Sequence, residues 1–433
     1  RENHIISKKW GLGKEAKRVT EEQNAGKILL FCKEPSPEQI MKCLRDAFDV
    51  PGSVHDADLK LHNGDLDVTI RVYCESAGGE EQELVRGWSD RSRGHFSRVE
   101  TAAVDVKTNL LYQLEGTESI VSVDYTFEGE ESEFLTEEEE SAKRNMEQTL
   151  FGVLSTLRAV MAFRGEKRGF YCLDASGMEK LILDGNGNSE MERFLPYKSV
   201  GYVPGNDIEA EQLNRREGNR REFEAHGVYV PVFYPLLETE AEADCRTPYE
   251  IAARAVALLL VAAFSEAMLA AKMDQKEALE FIGKRIREFG AEDFFSPKEW
   301  KYLHDEEPKE SEKISYSWQY ENLHVMEWAL GLIEGPLDFP DHFCDVAEAA
   351  RILTSFHSMR EILDAAKPRS PKELLDACDM IFCLDWACTD TRMRDLPTPA
   401  GMDGGVVFER HKALNWLVGV GEKADWDHVP VDT

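Results

Sequence analysis

Two charged side chains interrupt apolar helical patterns and are candidates for chemistry inside a folded domain. Glu321 lies three residues after Trp318 and four before Val325, so on a helix it falls on the apolar stripe. Arg254 is the only charged residue in the run 251–264. A buried charge must be paired, and we expect Arg254 and Glu321 to meet. The pair would either line a polar pocket for a small ligand or fix the register of two helices.

Three more hydrogen-bonding side chains border the core on the helix predicted over residues 406–418. A rotation of about 100° per residue places Arg410 and His411 on the flanks of the apolar face and Asn415 at its edge. In one interpretation His411 is a general acid or base and Arg410 clamps an anion. No nucleophile signature accompanies them, so the sequence leaves open whether the protein is an enzyme.

Aspartates follow this helix in the C-terminal tail. One of them could orient a catalytic His411. Alternatively, they hydrogen-bond Arg410 and His411 and so tie down the C-terminus. The candidate ligand-binding site or buried polar network thus comprises seven residues, which are Arg254, Glu321, Arg410, His411, Asn415, Asp425 and Asp427.

Two patterns that could hold a metal are incomplete. Glu321-x-x-His324 is half of a di-iron helix motif, and the sequence offers no second such pair. Cys378, Cys383 and Cys388 are separated by steps that rotate by about 140° on a helix, so their thiols point to different faces. We therefore expect neither a metal nor a cofactor.

The composition limits the classes of partner. The 433 residues carry a formal net charge of −31, with −11 on residues 1–200 and −20 on the rest. Such a surface repels phosphate backbones and anionic lipid, so we expect no nucleic acid and no membrane as partner. The basic patch of Arg215, Arg216, Arg220 and Arg221 is expected to pair with carboxylates on a helix face. A basic protein or a small ligand suits this charge better.

Cysteine usage indicates the compartment. The nine cysteines are odd in number and spread along a long chain, which indicates reduced thiols and a cytoplasmic location. The longest apolar run, residues 255–264, is too short to cross a bilayer and predicts a buried core helix. The oligomeric state is not indicated.

The patterning changes near residue 205. Residues 1–24 read as a polar lead-in, and residues 25–205 mix alternating strands with helices. An Asn63-Gly64 turn between two alternating runs predicts a hairpin there. We therefore predict an α+β domain with a small antiparallel or mixed sheet. Residues 206–433 repeat helix-start signals, such as Thr247-Pro248 followed by Glu250, and predict an all-α domain.

Several segments of the helical half follow one another in a family-specific order. They are led by residues 318–323 (WQYENL), 409–417 (ERHKALNWL) and 425–427 (DWD). This order resembles the domain of unknown function family 4272, a group found mainly in bacteria. The resemblance covers about 209–433 strongly and 109–183 more weakly. Where the family usually has Arg and His in one stretch, this chain has Cys383 and Asp385.

The resemblance implies no specific chemistry, so the sequence is compatible with two functions. The first is a cytoplasmic, non-catalytic binding or interaction protein whose acidic surface faces a basic partner. The second is an enzyme or small-ligand receptor with a polar pocket built from Arg254, Glu321, Arg410 and His411. Convergence of these side chains on an open pocket would favour the second function.

Overall fold

The computed structural model describes residues 25–127, 135–165, 169–174, 180–198, 208–231 and 234–432. The chain divides into two compact units between residues 202 and 203. The first unit contains a sheet with helices, and the second is helical. The predicted α+β and all-α fold classes are therefore confirmed. The predicted lead-in, residues 1–24, lies outside the described residues.

Seven strands form one sheet in the first unit, in the order β2-β3-β4-β1-β5-β6-β7. Every pairing is antiparallel. The predicted hairpin joins β2 to β3, and Gly64 adopts the positive φ of 63° that its turn requires. The strands are β1 (Ala25–Cys32), β2 (Asp58–Asn63), β3 (Leu66–Cys74), β4 (Ser119–Phe127), β5 (Ala159–Gly165), β6 (Gly169–Asp174) and β7 (Lys180–Leu183).

Helices cover both faces of this sheet. Alternation along β1 sends Leu30 into the core beneath α1 and α4, and Phe31 into the core beneath α2 and α3. Because β1 is buried on both sides, its sequence is a continuous apolar run rather than a polar–apolar alternation. The helices are α1 (Pro37–Phe48), α2 (Gly79–Ser97), α3 (Val104–Glu115) and α4 (Glu137–Leu157).

Ten helices form the described part of the second unit. They are α5 (Ala210–Ala225), α6 (Pro248–Leu269), α7 (Gln275–Phe289), α8 (Pro297–Leu303), α9 (Glu310–Ser317), α10 (Gln319–Ala329), α11 (Val346–Thr354), α12 (Met359–Ala365), α13 (Pro371–Met393) and α14 (Gly404–Val418), followed by a short turn at Val420–Lys423. Helix α6 packs against α7, α9 and α10. It is the only helix among the described residues with the length and apolarity of a membrane span. However, 83% of its apolar 18-residue stretch is buried inside the protein.

Local sequence signals set most helix starts. Thr247 and Glu250 form a capping box at α6, and Ser296 and Glu299 form another at α8. The sequence of residues 343–366 predicts a single helix, and this prediction is wrong, because these residues form two helices. The side chain of Ser358 accepts a hydrogen bond from the backbone of Glu361 and starts α12 as a separate helix.

Candidate functional site

Arg410 and Glu321 form a buried ion pair between α14 and α10. The Nε of Arg410 lies 3.1 Å from Oε2 of Glu321, and both residues are only 2% exposed. Arg410 also donates to the carbonyl oxygen of Asp338 at 2.7 Å. The other oxygen of Glu321 accepts from the backbone N–H of Cys344. Both charged groups are thus paired and hydrogen-bonded, as a buried ion pair requires.

Arg254 pairs with Glu299 instead of Glu321, so the predicted partner was wrong. Its Nη2 lies 2.7 Å from Oε1 of Glu299, and both side chains are buried. Glu299 lies in the first turn of α8, where it also caps the helix. Trp426 lies 4.9 Å from the guanidinium and covers it. The start of α8 therefore delivers a carboxylate to Arg254, while Glu321 faces α14.

His411 connects Asp385 to Asn415 by two hydrogen bonds whose directions can be assigned. The Nδ2 of Asn415 donates to the carbonyl oxygen of Pro430 at 2.9 Å, which fixes the orientation of the amide. The same nitrogen lies 3.0 Å from Nε2 of His411, so Nε2 must accept. The proton is therefore on Nδ1, which donates to Oδ2 of Asp385 at 2.7 Å. Cys378 completes the chain by donating to Oδ1 of Asn415.

The tail aspartates do not bond to Arg410 or His411, contrary to the prediction. Asp427 instead accepts from Ser296 Oγ at 2.7 Å and from the backbone N–H of Lys298 at 2.9 Å. It therefore lies at the N-terminus of α8, where a carboxylate is favoured. Asp425 is exposed and accepts from the backbone of Asp427. The tail is tied down as predicted, but at α8 and Asn415.

Three arginines of the basic patch on α5, Arg215, Arg216 and Arg220, pair with carboxylates, as predicted. Arg216 meets Asp379 of α13 through Nε and Nη2, with a shortest distance of 2.7 Å. Arg215 pairs with Glu211 and Asp376. These buried guanidinium groups hold α5 to α13 and leave no free cationic face at Arg215 and Arg216 for a polyanion.

The structure offers little for a metal ion. Among the described residues there is no group of three or more His, Cys, Asp or Glu side chains that could hold one. Burial, together with the charge of Arg410, lowers the pKa of His324. Cys378, Cys383 and Cys388 are buried, and burial raises the pKa of each thiol. They behave as small core residues.

One buried carboxyl group lacks a hydrogen bond. Both side-chain oxygens of Glu327 are without a hydrogen-bond partner among the described residues, and the residue is 0% exposed. Burial, and then the nearby charge of Glu348, raise its pKa to about 9. The backbone N–H of Leu353 weakly opposes this shift from a position outside hydrogen-bonding geometry. Glu327 is therefore protonated at neutral pH.

An open groove lies in the same helical unit and was not predicted. It has a volume of about 920 Å³, within the range of roughly 300–1,000 Å³ that is typical of ligand sites. Helices α9, α13 and α14 and the C-terminal tail form its walls. The lining residues are Ser311, Ile314, Ser315, Trp318, Asp385, Cys388, Thr389, Arg392, Asp395, Leu396, Thr398, Gly404, Gly405, Phe408, Glu409, Val431 and Asp432.

The groove combines carboxylates with an apolar wall. Among the described residues that line the groove, four are acidic and only Arg392 is cationic. The acidic residues are Asp385, Asp395, Glu409 and Asp432. The apolar wall contains Ile314, Trp318 and Phe408, and the first and last of these are about half exposed. Burial raises the pKa of Glu409, whose carboxyl accepts from Asn322.

Among the described residues of the Arg254 and Arg410 ion pairs and of the His411 hydrogen-bond chain, only Asp385 reaches this groove. Asp385 lines it, with 6% of the residue exposed, while His411 lies behind it. Arg254, Glu321, Arg410, His411 and Asn415 are each at most 5% exposed, and none is a lining residue. The proposed pocket of Arg254, Glu321, Arg410 and His411 is therefore a set of closed internal contacts. The single sequence signal for Asp385 was its departure from the family pattern.

The second unit is thus an all-helical domain with buried ion pairs and an open acidic groove. Residues 215–429, which lie within the helical half of the chain, match the model of the family described as "Domain of unknown function (DUF4272)". No curated protein and no solved structure matches the chain.

Proposed function

We propose that the protein is a non-catalytic interaction protein whose helical domain binds a basic segment of a partner protein in the acidic groove. The observation that carries this proposal is the lining of the groove. Carboxylates there outnumber cations, and an apolar wall lies beside them. Lysine and arginine side chains combine a cationic head with a long apolar stem and suit both features. Exposed apolar surface next to charge is also typical of protein-binding sites.

The hydrogen bonding of His411 argues against an acid–base role in the groove. Its Nε2 accepts from Asn415, and its Nδ1 donates to Asp385. A second ring proton would point at the amide N–H of Asn415. His411 therefore serves to position Asp385, and it offers no free nitrogen to a reactant.

The charge of the chain supports a basic partner. A net charge of −31 attracts a cationic segment over long range and accelerates encounter, particularly at low salt. We further propose a cytoplasmic location, which suits the eight described cysteines because all of them are free thiols.

A peptide titration of the 433-residue chain tests this proposal. The probe is a fluorescein-labelled nine-residue peptide with alternating lysine and leucine, and the control replaces each lysine with glutamate. We expect the lysine peptide to bind and its affinity to fall as salt is raised, because exposed charges become screened. The glutamate peptide should not bind.

Two variants locate the binding to the groove. Asp395→Asn and Asp432→Asn each remove one exposed carboxylate from its rim. Asp395 has a φ of 57°, a conformation that Asn tolerates, so this change does not strain the backbone. We expect both variants to bind the lysine peptide more weakly. Equal binding of the lysine and glutamate peptides, or no binding at all, would refute the proposal.

A further inference from the structure

Asp385 differs from the rim carboxylates of the groove, Asp395 and Asp432, in its burial and its fixed orientation. Its side chain is 9% exposed, whereas Asp395 and Asp432 are exposed at the rim. Oδ2 is held by His411 at 2.7 Å. Oδ1 has no hydrogen-bond partner among the described residues. Oδ1 is not among the buried atoms that lack a partner, so this unpaired oxygen is accessible from the groove and can accept a hydrogen bond from an incoming donor.

The hydrogen-bond chain behind Asp385 determines what kind of donor it can take. Asn415 is fixed by Pro430, His411 is fixed by Asn415, and His411 presents N–H to Asp385. The aspartate is therefore an acceptor on the groove side. With Oδ2 engaged, only Oδ1 is free to bind an incoming group. A guanidinium group reaches its strongest contact by a two-pronged bond to both carboxylate oxygens.

A primary ammonium group needs only one carboxylate oxygen. It is compact and can use its remaining N–H groups on other acceptors. Thr389 and Glu409 line the same groove and carry such oxygens. The ring of Trp318 and the side chain of Phe408 provide apolar surface for the methylene chain.

We propose that Asp385 is the specificity-determining residue of the groove and selects a lysine ammonium over an arginine guanidinium. This inference rests on the proposed function, because it identifies lysine as the side chain of the bound basic segment that contacts the most buried carboxylate of the groove. His411 and Asn415 are positioning residues that orient the carboxylate without contacting the ligand.

The test compares two nine-residue peptides that differ only in a central lysine or arginine, titrated calorimetrically into the 433-residue chain. We expect the lysine peptide to bind more tightly by about fivefold, corresponding to roughly 1 kcal/mol. The variant Asp385→Asn keeps an oxygen for the His411 bond and turns an N–H₂ group towards the ligand. It should lose most of the affinity and all of the preference for lysine.

Asp395→Asn is the matched control, because it removes the same charge from the same groove at an exposed position. It should weaken both peptides equally and retain the lysine preference. The melting temperature of each variant, measured in the same buffer, should stay within a few degrees of the wild type.

The possible outcomes distinguish the proposed role of Asp385 from the proposed function of the groove. Binding of both peptides with equal affinity, or unchanged selectivity in Asp385→Asn, would overturn the role of Asp385 and leave a groove that binds basic segments. Absence of binding of either peptide to the wild-type protein would overturn both proposals.

Discussion

The guanidinium of Arg410 lies 3.1 Å from the carboxylate of Glu321, with both side chains almost completely removed from water. We predict that Glu321→Ala lowers the free energy of unfolding by about 3–5 kcal/mol, because it leaves Arg410 as an unpaired buried charge. Chemical denaturation of the 433-residue chain measures this loss. Unfolding of the second unit must be monitored with a probe placed in that unit, because two compact units need not unfold together.

A double-mutant cycle checks the partner. Glu321→Ala combined with Arg410→Ala should cost clearly less than the sum of the two single changes, since the two side chains are in direct contact. The same cycle between Glu321 and Arg254 should be nearly additive, because Arg254 pairs with Glu299. Strong coupling of Glu321 to Arg254 would show that the described pairing is wrong.

Glu327 should make stability fall as pH rises. Its pKa is raised from 4.5 to about 9 in the folded protein. Between these values the folded state holds a proton that the unfolded state has released. This contribution is therefore full below about pH 4.5 and is lost as pH rises towards 9, at up to ~1.4 kcal/mol per pH unit.

The variant Glu327→Gln tests this pH dependence. It keeps the shape of the side chain and cannot ionise, so its stability should decline less steeply from pH 6 to pH 8.5 than that of the wild type. Glu280→Gln, at an exposed position on α7, is the control and should follow the wild-type slope. Parallel curves for the wild type and Glu327→Gln would contradict a protonated Glu327.

Thiol labelling should follow burial. Burial raises the pKa of the thiols of Cys43, Cys245, Cys378 and Cys383, but the first two are half-buried, whereas the last two are fully or almost fully buried. Because labelling needs access to the thiol and its conversion to the thiolate, iodoacetamide should modify Cys43 and Cys245 before Cys378 and Cys383 in the native protein. Peptide mapping by mass spectrometry gives the order. Early modification of Cys378 would indicate that the core around α13 opens readily.

The sequence predicted which side chains would be buried but not how they would pair. Helical rotation placed Glu321, Arg410, His411 and Asn415 at the core, and each is buried. Rotation within one helix carries no information on which neighbouring helix supplies the partner. Glu299 is an example. Its position in the sequence predicts a capping-box carboxylate that accepts from the backbone of Ser296, but it gives no sign that the same carboxylate also binds Arg254.

The groove could not be predicted from the sequence either, because its formation also depends on which helices pack together. Its walls come from α9, α13, α14 and the tail, which are separated along the chain and meet only in the folded domain. Ile314 and Phe408 look like ordinary helical apolar residues in the sequence, yet both are about half exposed. Local capping signals were more reliable, because their partners lie within one turn of the same helix, as at Thr247 and Glu250.

Hydrogen–deuterium exchange with and without the lysine-containing peptide tests the central claim most directly, because it locates the binding surface. We predict slower exchange in the groove segments, residues 311–318, 385–396, 404–409 and 430–432, with little change in the first unit. Asp385→Asn should abolish this protection. Protection confined to the first unit, or identical exchange with and without a saturating peptide, would contradict the assignment of the groove as the binding site.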